Sequence, residues 1–114
     1  MALDFCMAQS QRAFEKGKIN GRVALVDGLQ DFLYDNESLI DINVKFIYDF
    51  DPYGDVLLGT ESIKELMGIC NDLKACKILD KYNQAKKAKE DIIKLAILCK
   101  RALETEQYIF VLGD

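Results

Sequence analysis

The chain has 114 residues, half of them apolar and 30% charged, and its 15 Lys and Arg against 19 Asp and Glu leave a net charge of −4. That length holds one domain with its own core, and the balance of apolar and charged residues excludes a disordered chain. With no histidine present, Ser–His and Cys–His nucleophiles and histidine-ligated metals are excluded, leaving carboxylates, lysines, tyrosines or a thiol for any chemistry.

Residues 2–16 place Leu3, Cys6, Met7, Ser10, Ala13 and Phe14 at steps of three and four. That is one face of a helix, with Gly17 as its stop; a strand through Leu3, Phe5 and Met7 competes with it. After a loop over 18–21, the apolar positions Leu25, Val26, Leu29, Phe32 and Leu33 again fall on one helical face across 23–34. Gly28 lies inside that segment and costs a helix about 1 kcal/mol against alanine. Residues 36–38 have turn composition. Ile40, Ile42, Val44, Phe46, Tyr48 and Phe50 then alternate with Asp41, Asn43, Lys45, Ile47 and Asp49, and this period of two predicts a strand over 40–50. Asp51-Pro52-Tyr53-Gly54 reads as a turn, and 56–58 as a short returning strand.

Thr60 is placed to cap a helix that carries Glu61 in its first turn and an apolar stripe of Ile63, Leu66, Met67, Cys70 and Leu73. A longer helix over 83–104 buries Ala85, Ala88, Ile92, Leu95, Ala96, Cys99 and Leu103. The final run over 107–112, with Tyr108 to Leu112 apolar throughout, suits a strand in a sheet interior. The expected fold is α+β: one domain over residues 1–114, with two to three strands covered by about four helices. Since a two-stranded sheet alone is marginal, the strands over 40–50 and 108–112 are expected to share it.

Charge is segregated along the chain. Residues 27–55 carry eight carboxylates (Asp27, Asp31, Asp35, Glu37, Asp41, Asp49, Asp51 and Asp55) against Lys45 alone, interleaved with rings that include Tyr34, Tyr48 and Tyr53. Residues 73–101 hold nine bases against Asp80, Glu90 and Asp91. The basic block reads as the solvated face of the long helix. Nucleic-acid binding through it is disfavoured by the negative overall charge and by Tyr82 being the one ring near the lysines. The acidic block reads either as solubilising polarity or as an anionic docking surface for a basic partner, with tyrosines as anchors. Its binding residues would be Asp27, Asp31, Tyr34, Asp35, Glu37, Asp41, Asp49, Asp51, Tyr53 and Asp55.

Other chemistry finds little footing. Counted as a calcium loop from Asp49, Asp51 and Gly54 fit positions three and six, but Tyr53 stands at five and Thr60 at twelve. The carboxylates Asp49, Asp51 and Asp55 lack a readable pocket for acid–base work, and no glycine-rich phosphate loop is present. The four cysteines, Cys6, Cys70, Cys76 and Cys99, sit at apolar positions without zinc spacing, and core thiols are expected. We therefore expect no catalytic residue, metal or cofactor. The opening MALDFCMAQS has no basic start leading into a long apolar stretch, and no apolar run is long enough to span a bilayer, so a cytoplasmic location is expected.

The run into Asp51-Pro52-Tyr53-Gly54-Asp55, the amphipathic helices after it and the terminal Phe110-Val111-Leu112-Gly113-Asp114 resemble a group of short bacterial proteins, a likeness that covers the chain from Ile40 onward. In size, acidity and architecture the chain also resembles immunity proteins of bacterial toxin systems, including contact-dependent inhibition. That resemblance implies a non-enzymatic inhibitor whose acidic surface covers the basic face of a toxin domain, for instance a nuclease. The alternatives are a regulatory module acting by self-association and a small nucleic-acid binder using the helix over 81–101.

Overall fold

The computed structural model describes residues 3–48 and 55–113. Four strands form one antiparallel sheet: β1 (Leu3–Ala8), β2 (Gly21–Ala24), β3 (Asp55–Leu58) and β4 (Tyr108–Gly113), in the order β2-β1-β4-β3. The helices are α1 (Gln11–Glu15), α2 (Leu29–Asp35), α3 (Lys45–Tyr48), α4 (Thr60–Ala75) and α5 (Ala85–Glu104), with 3₁₀ turns at Glu37–Leu39 and Lys77–Lys81. The α+β class holds, with one more strand and one more helix than expected. No helix of the described residues is long and apolar enough to cross a membrane.

Register shows how the core is built. Phe5 pairs with Val23 on one side and Val111 on the other, Met7 with Ile109, and Val111 and Ile109 with Val56 and Leu58. Because side chains alternate along a strand, these residues share one sheet face, and they join the helices in a single hydrophobic cluster. α4 contributes Ile63, Leu66, Ile69, Cys70 and Leu73 to it, and α5 contributes Ala88, Ile92, Leu95, Leu98, Cys99 and Ala102. The opposite sheet face carries Cys6, Ala8 and Phe110, also buried. There Phe14 of α1 stacks on Phe110 with ring centroids 4.3 Å apart and planes nearly parallel. Leu3, the first described residue, pairs with Gly113, the last.

The first expected helix is thus a strand followed by one short helix. Five of the six residues of β1 are buried, so its apolar residues serve both sheet faces, and the spacing of three and four was incidental. Ser10 then accepts the Ala13 N–H at 3.1 Å and starts α1. Gly17, at φ +75°, ends it with paired bonds from Gly17 to Phe14 and from Lys18 to Ala13, a Schellman closure.

The second expected helix divides for a related reason. Gly28 has φ +89°, a left-handed conformation that cannot continue a helix, so β2 precedes it and α2 begins after it. The expected strand over 40–50 is also corrected, as far as Tyr48. Ile40, Val44 and Ile47 are the buried positions, at steps of four and three, and they bring α3 against α2. Residues 49 and 50 lie outside the described residues. Consequently β4 pairs with β1 and β3, not with this segment, while 55–58 is a strand as expected. α4, α5 and β4 match their expected places within two residues, except that Gly59, not Thr60, occupies the cap of α4.

Asp91 is the one buried charged side chain among the described residues. Its Oδ1 accepts from Lys87 Nζ at 2.7 Å, while Oδ2 meets no described donor. That bond holds the Lys87 ammonium above its ordinary range.

Two turn positions give opposite expectations. Gly28→Ala forces a side chain into the left-handed region, 3.2 Å from the Tyr82 hydroxyl, and should cost about 1–2 kcal/mol. Glu106 sits at φ +54°, where Gln107 N–H bonds back to Ala102, and Glu106→Gly should stabilise by about 1 kcal/mol, roughly 3–6 °C in Tm. Thermal unfolding followed by circular dichroism checks both signs.

Candidate functional site

α2 separates its residues by helical geometry. Leu29 and Leu33, four apart, are buried; at 100° per residue, Asp31, Tyr34 and Asp35 point to the opposite side. Asp31 occupies the first turn of the helix, where the backbone dipole favours an acid. Asn36 closes the helix by donating from Nδ2 to the Phe32 carbonyl at 2.8 Å. The chain then turns through Glu37–Leu39, leaving Glu37, Ser38 and Leu39 exposed, buries Ile40 and exposes Asp41. Tyr34 is 63% exposed and Leu39 65%, the two most exposed large hydrophobic residues described.

One residue outside this segment supports it. Tyr82 donates its hydroxyl to the Asp27 carbonyl at 3.0 Å and lays its ring against Phe32, with centroids 4.7 Å apart. Gly28 leaves room for that hydroxyl. Burial pushes the Tyr82 phenol up from its ordinary range, with the charges of Asp27 and Asp31 adding to the shift. Sequence reading placed Tyr82 among the lysines as a stacking ring; the structure makes it the strut that ties the start of α5 to the start of α2. A tyrosine distant in sequence carries no local signal of such a role.

Of the ten residues expected to bind a partner, Asp27, Asp31, Tyr34, Asp35, Glu37 and Asp41 are all exposed along this one segment. Asp49, Asp51 and Tyr53, with the Asp-Pro-Tyr-Gly turn and the calcium-loop comparison, lie outside the described residues. Asp55 opens β3. Of the interleaved rings whose side chains are described, Phe32 and Phe46 are half-buried against the core and Tyr34 is exposed. Leu39 is an exposed apolar residue that the sequence pattern did not single out, because an isolated leucine carries no signal of exposure.

Among the described residues the basic helix forms no ion pair with Asp31, Asp35 or Asp41. Lys87 pairs with Asp91, and Lys89 with Asp80. Asp31, Asp35 and Asp41 form no ion pair with a described residue. The face has a cationic border, since Leu39 lines a shallow groove with Cys76, Ile78, Lys77 and Lys81. Like-charged carboxylates four residues apart, as at Asp31 and Asp35, repel and are destabilising by a few tenths of a kcal/mol in an isolated helix. An opposite charge brought to them would relieve that repulsion.

Among the described residues no three Cys, Asp or Glu side chains are grouped to hold a metal ion. All four cysteines are free thiols; Cys6, Cys70 and Cys99 are buried and Cys76 is partly exposed. No protein-family model, curated protein or solved structure gives a significant match to this chain.

The thiols make a pH prediction. Burial pushes Cys99 up from 9.0 to about 12 and raises Cys70 and Cys6 as well. In the unfolded chain these thiols lose their protons near 9, while the folded protein holds them to higher pH. Stability is therefore fully present below 9 and falls as pH rises towards 12, by about 1.4 kcal/mol per pH unit for each retained proton. Urea unfolding across that window should show the decline, and Cys99→Ala should make it shallower by one thiol. At neutral pH, Cys76 should react first with a thiol reagent.

Proposed function

We propose that this chain is a non-enzymatic binding protein that captures a basic protein on the α2–Asp41 face, and specifically an immunity-type inhibitor of a bacterial toxin domain acting in the cytoplasm. The observation that supports the reading most is the set of exposed, unneutralised acids, Asp31, Asp35 and Asp41, beside two exposed anchors, Tyr34 and Leu39.

The mechanism follows from that chemistry. A nuclease holds a cationic cleft for its polyanionic substrate, and a row of fixed carboxylates presents charge of the same sign as the phosphates. Long-range attraction steers the two proteins together and raises the association rate by one to three orders of magnitude at low salt. Tyr34 then supplies a large rigid ring with a polar tip, and Leu39 an aliphatic contact, the kind of central apolar anchor that holds a complex once formed. The inhibitor performs no chemistry; it occupies the cleft.

The first test is the adjacent reading frame, which should encode a toxin-type domain; an operon of metabolic enzymes there counts against the reading. Asp31→Lys/Asp35→Lys/Asp41→Lys should slow association with that domain about tenfold or more and flatten its salt dependence, with an unchanged circular dichroism spectrum. Tyr34→Ala should instead speed dissociation. A folded triple variant that binds at the wild-type rate, with the wild-type salt slope, removes the acidic face from the mechanism.

A further inference from the structure

A second face of the molecule carries the opposite charge. On α5, Ile93 and Ile97 are 43% and 54% exposed and lie four residues apart, on one strip of the helix. Ile97 forms a ridge between two shallow grooves. The groove towards β2, of about 210 Å³, is lined by Arg22, Val23, Lys94, Leu98 and Arg101. The groove towards α4, of about 140 Å³, is lined by Met67, Lys74, Ala96 and Lys100. No acid lines either one.

The platform is firm. α5 packs onto β2 so closely at Gly21 that an added Cβ would lie 2.8 Å from Leu98 Cδ1, and Arg101 reaches across to the Asn20 carbonyl at 3.4 Å. Arg22 is partly compensated by Asp4. Lys74, Lys94 and Lys100 form no ion pair with a described residue. Among the described residues, the strip therefore presents three unpaired lysines around two exposed aliphatic side chains. The α2 face presents three unpaired acids around two exposed anchors, Tyr34 and Leu39.

These faces cannot serve each other within one molecule. α2 is tied to the start of α5 through Tyr82, whereas Ile97 stands twelve residues further along α5, roughly 18 Å away at 1.5 Å per residue. We infer that a second copy of this chain is the occupant: the basic, aliphatic strip of α5 on one copy receives the acidic face of α2 on the next. The isoleucines favour a protein over nucleic acid, since a branched aliphatic side chain offers no ring on which a base can stack. Because two different surfaces meet, the contact is heterologous and each copy keeps one face open, so association continues into rings or chains. The inference shares its acidic face with the function proposed above, and self-association would hold that face covered until a more strongly basic partner displaces the neighbouring copy.

Sedimentation velocity tests it without any partner. Wild-type protein at low salt should rise above the 12.9 kDa monomer mass as concentration increases and return to monomer at high salt. Two variants isolate the faces: Lys94→Gln/Lys100→Gln keeps the acidic face alone, and Asp31→Asn/Asp35→Asn keeps the basic strip alone. Each should be monomeric by itself and folded by circular dichroism. Mixed in equal amounts they should form one-to-one dimers and nothing larger, since each supplies the single face that the other lacks. Wild type that stays monomeric at every concentration overturns the inference, as do variants that associate like wild type. So does a monomer that binds a duplex oligonucleotide through Lys94 and Lys100. None of these results depends on toxin binding, so either proposal can fail while the other stands.

Discussion

Every part of this molecule depends on the pairing of β1 with β4. The two strands come from opposite ends of the described chain, and β4 lies between β1 and β3. Ile109 and Val111 reach the helical side of the sheet while Phe110 meets Phe14 on the other. A central strand with both faces buried satisfies its backbone on two neighbours and contributes apolar area twice, at about 25 cal/mol per Å². α4 and α5 pack on the sheet so formed, and α5 in turn carries the basic strip and, just before its start, the Tyr82 strut. The acidic face is positioned by Leu29 and Leu33 of α2, which enter the same core, and by the Tyr82 contact at its start.

Legibility in the sequence followed length and burial. α4 and α5 were readable because 16 and 20 residues show several turns of a one-sided stripe, and β4 because five consecutive apolar residues fit only an interior strand. β1 was obscured because Leu3, Phe5 and Met7 serve one sheet face and Cys6 and Ala8 the other, which erases the alternation that marks a half-buried strand. Residues 40–48 misled in the opposite direction. Their alternation of apolar and polar residues is real, but Ile40, Val44 and Ile47 also satisfy a turn-like spacing, and packing of α3 against α2 chose that one. Gly28 was recognised as unfavourable for a helix; the consequence, two elements in place of one, needed the sign of its backbone angle. The candidate site was legible as a list of acids, since exposure of Asp31, Asp35 and Asp41 follows from charge. Which rings would join them was not, because exposure of Tyr34 and burial of Phe32 depend on where the helix places each.

The segregation of charge along the chain survives folding as two separate surfaces. A protein of net charge −4 could have paired its lysines with its acids internally, yet among the described residues the ion pairs formed by α5 are those to Asp80 and Asp91. The Lys89–Asp80 contact lies between exposed groups and contributes at most about 1 kcal/mol, whereas Lys87 serves the buried carboxylate of Asp91. Both leave the molecule's larger electrostatic asymmetry intact. Asymmetry of this kind contributes little to folding and a great deal to encounter, since fields from clustered charges act over roughly a Debye length, about 8 Å at physiological salt.

Leu3 and Gly113 stand opposite each other in the β1–β4 ladder, so the first and last described strands begin and finish side by side, about 5 Å apart at the backbone. A short peptide joining residue 113 to residue 3 would span that distance and leave the register of the ladder intact. New ends could then be opened at the exposed loop after Gly17, giving a circular permutant with the same architecture and a different order of synthesis.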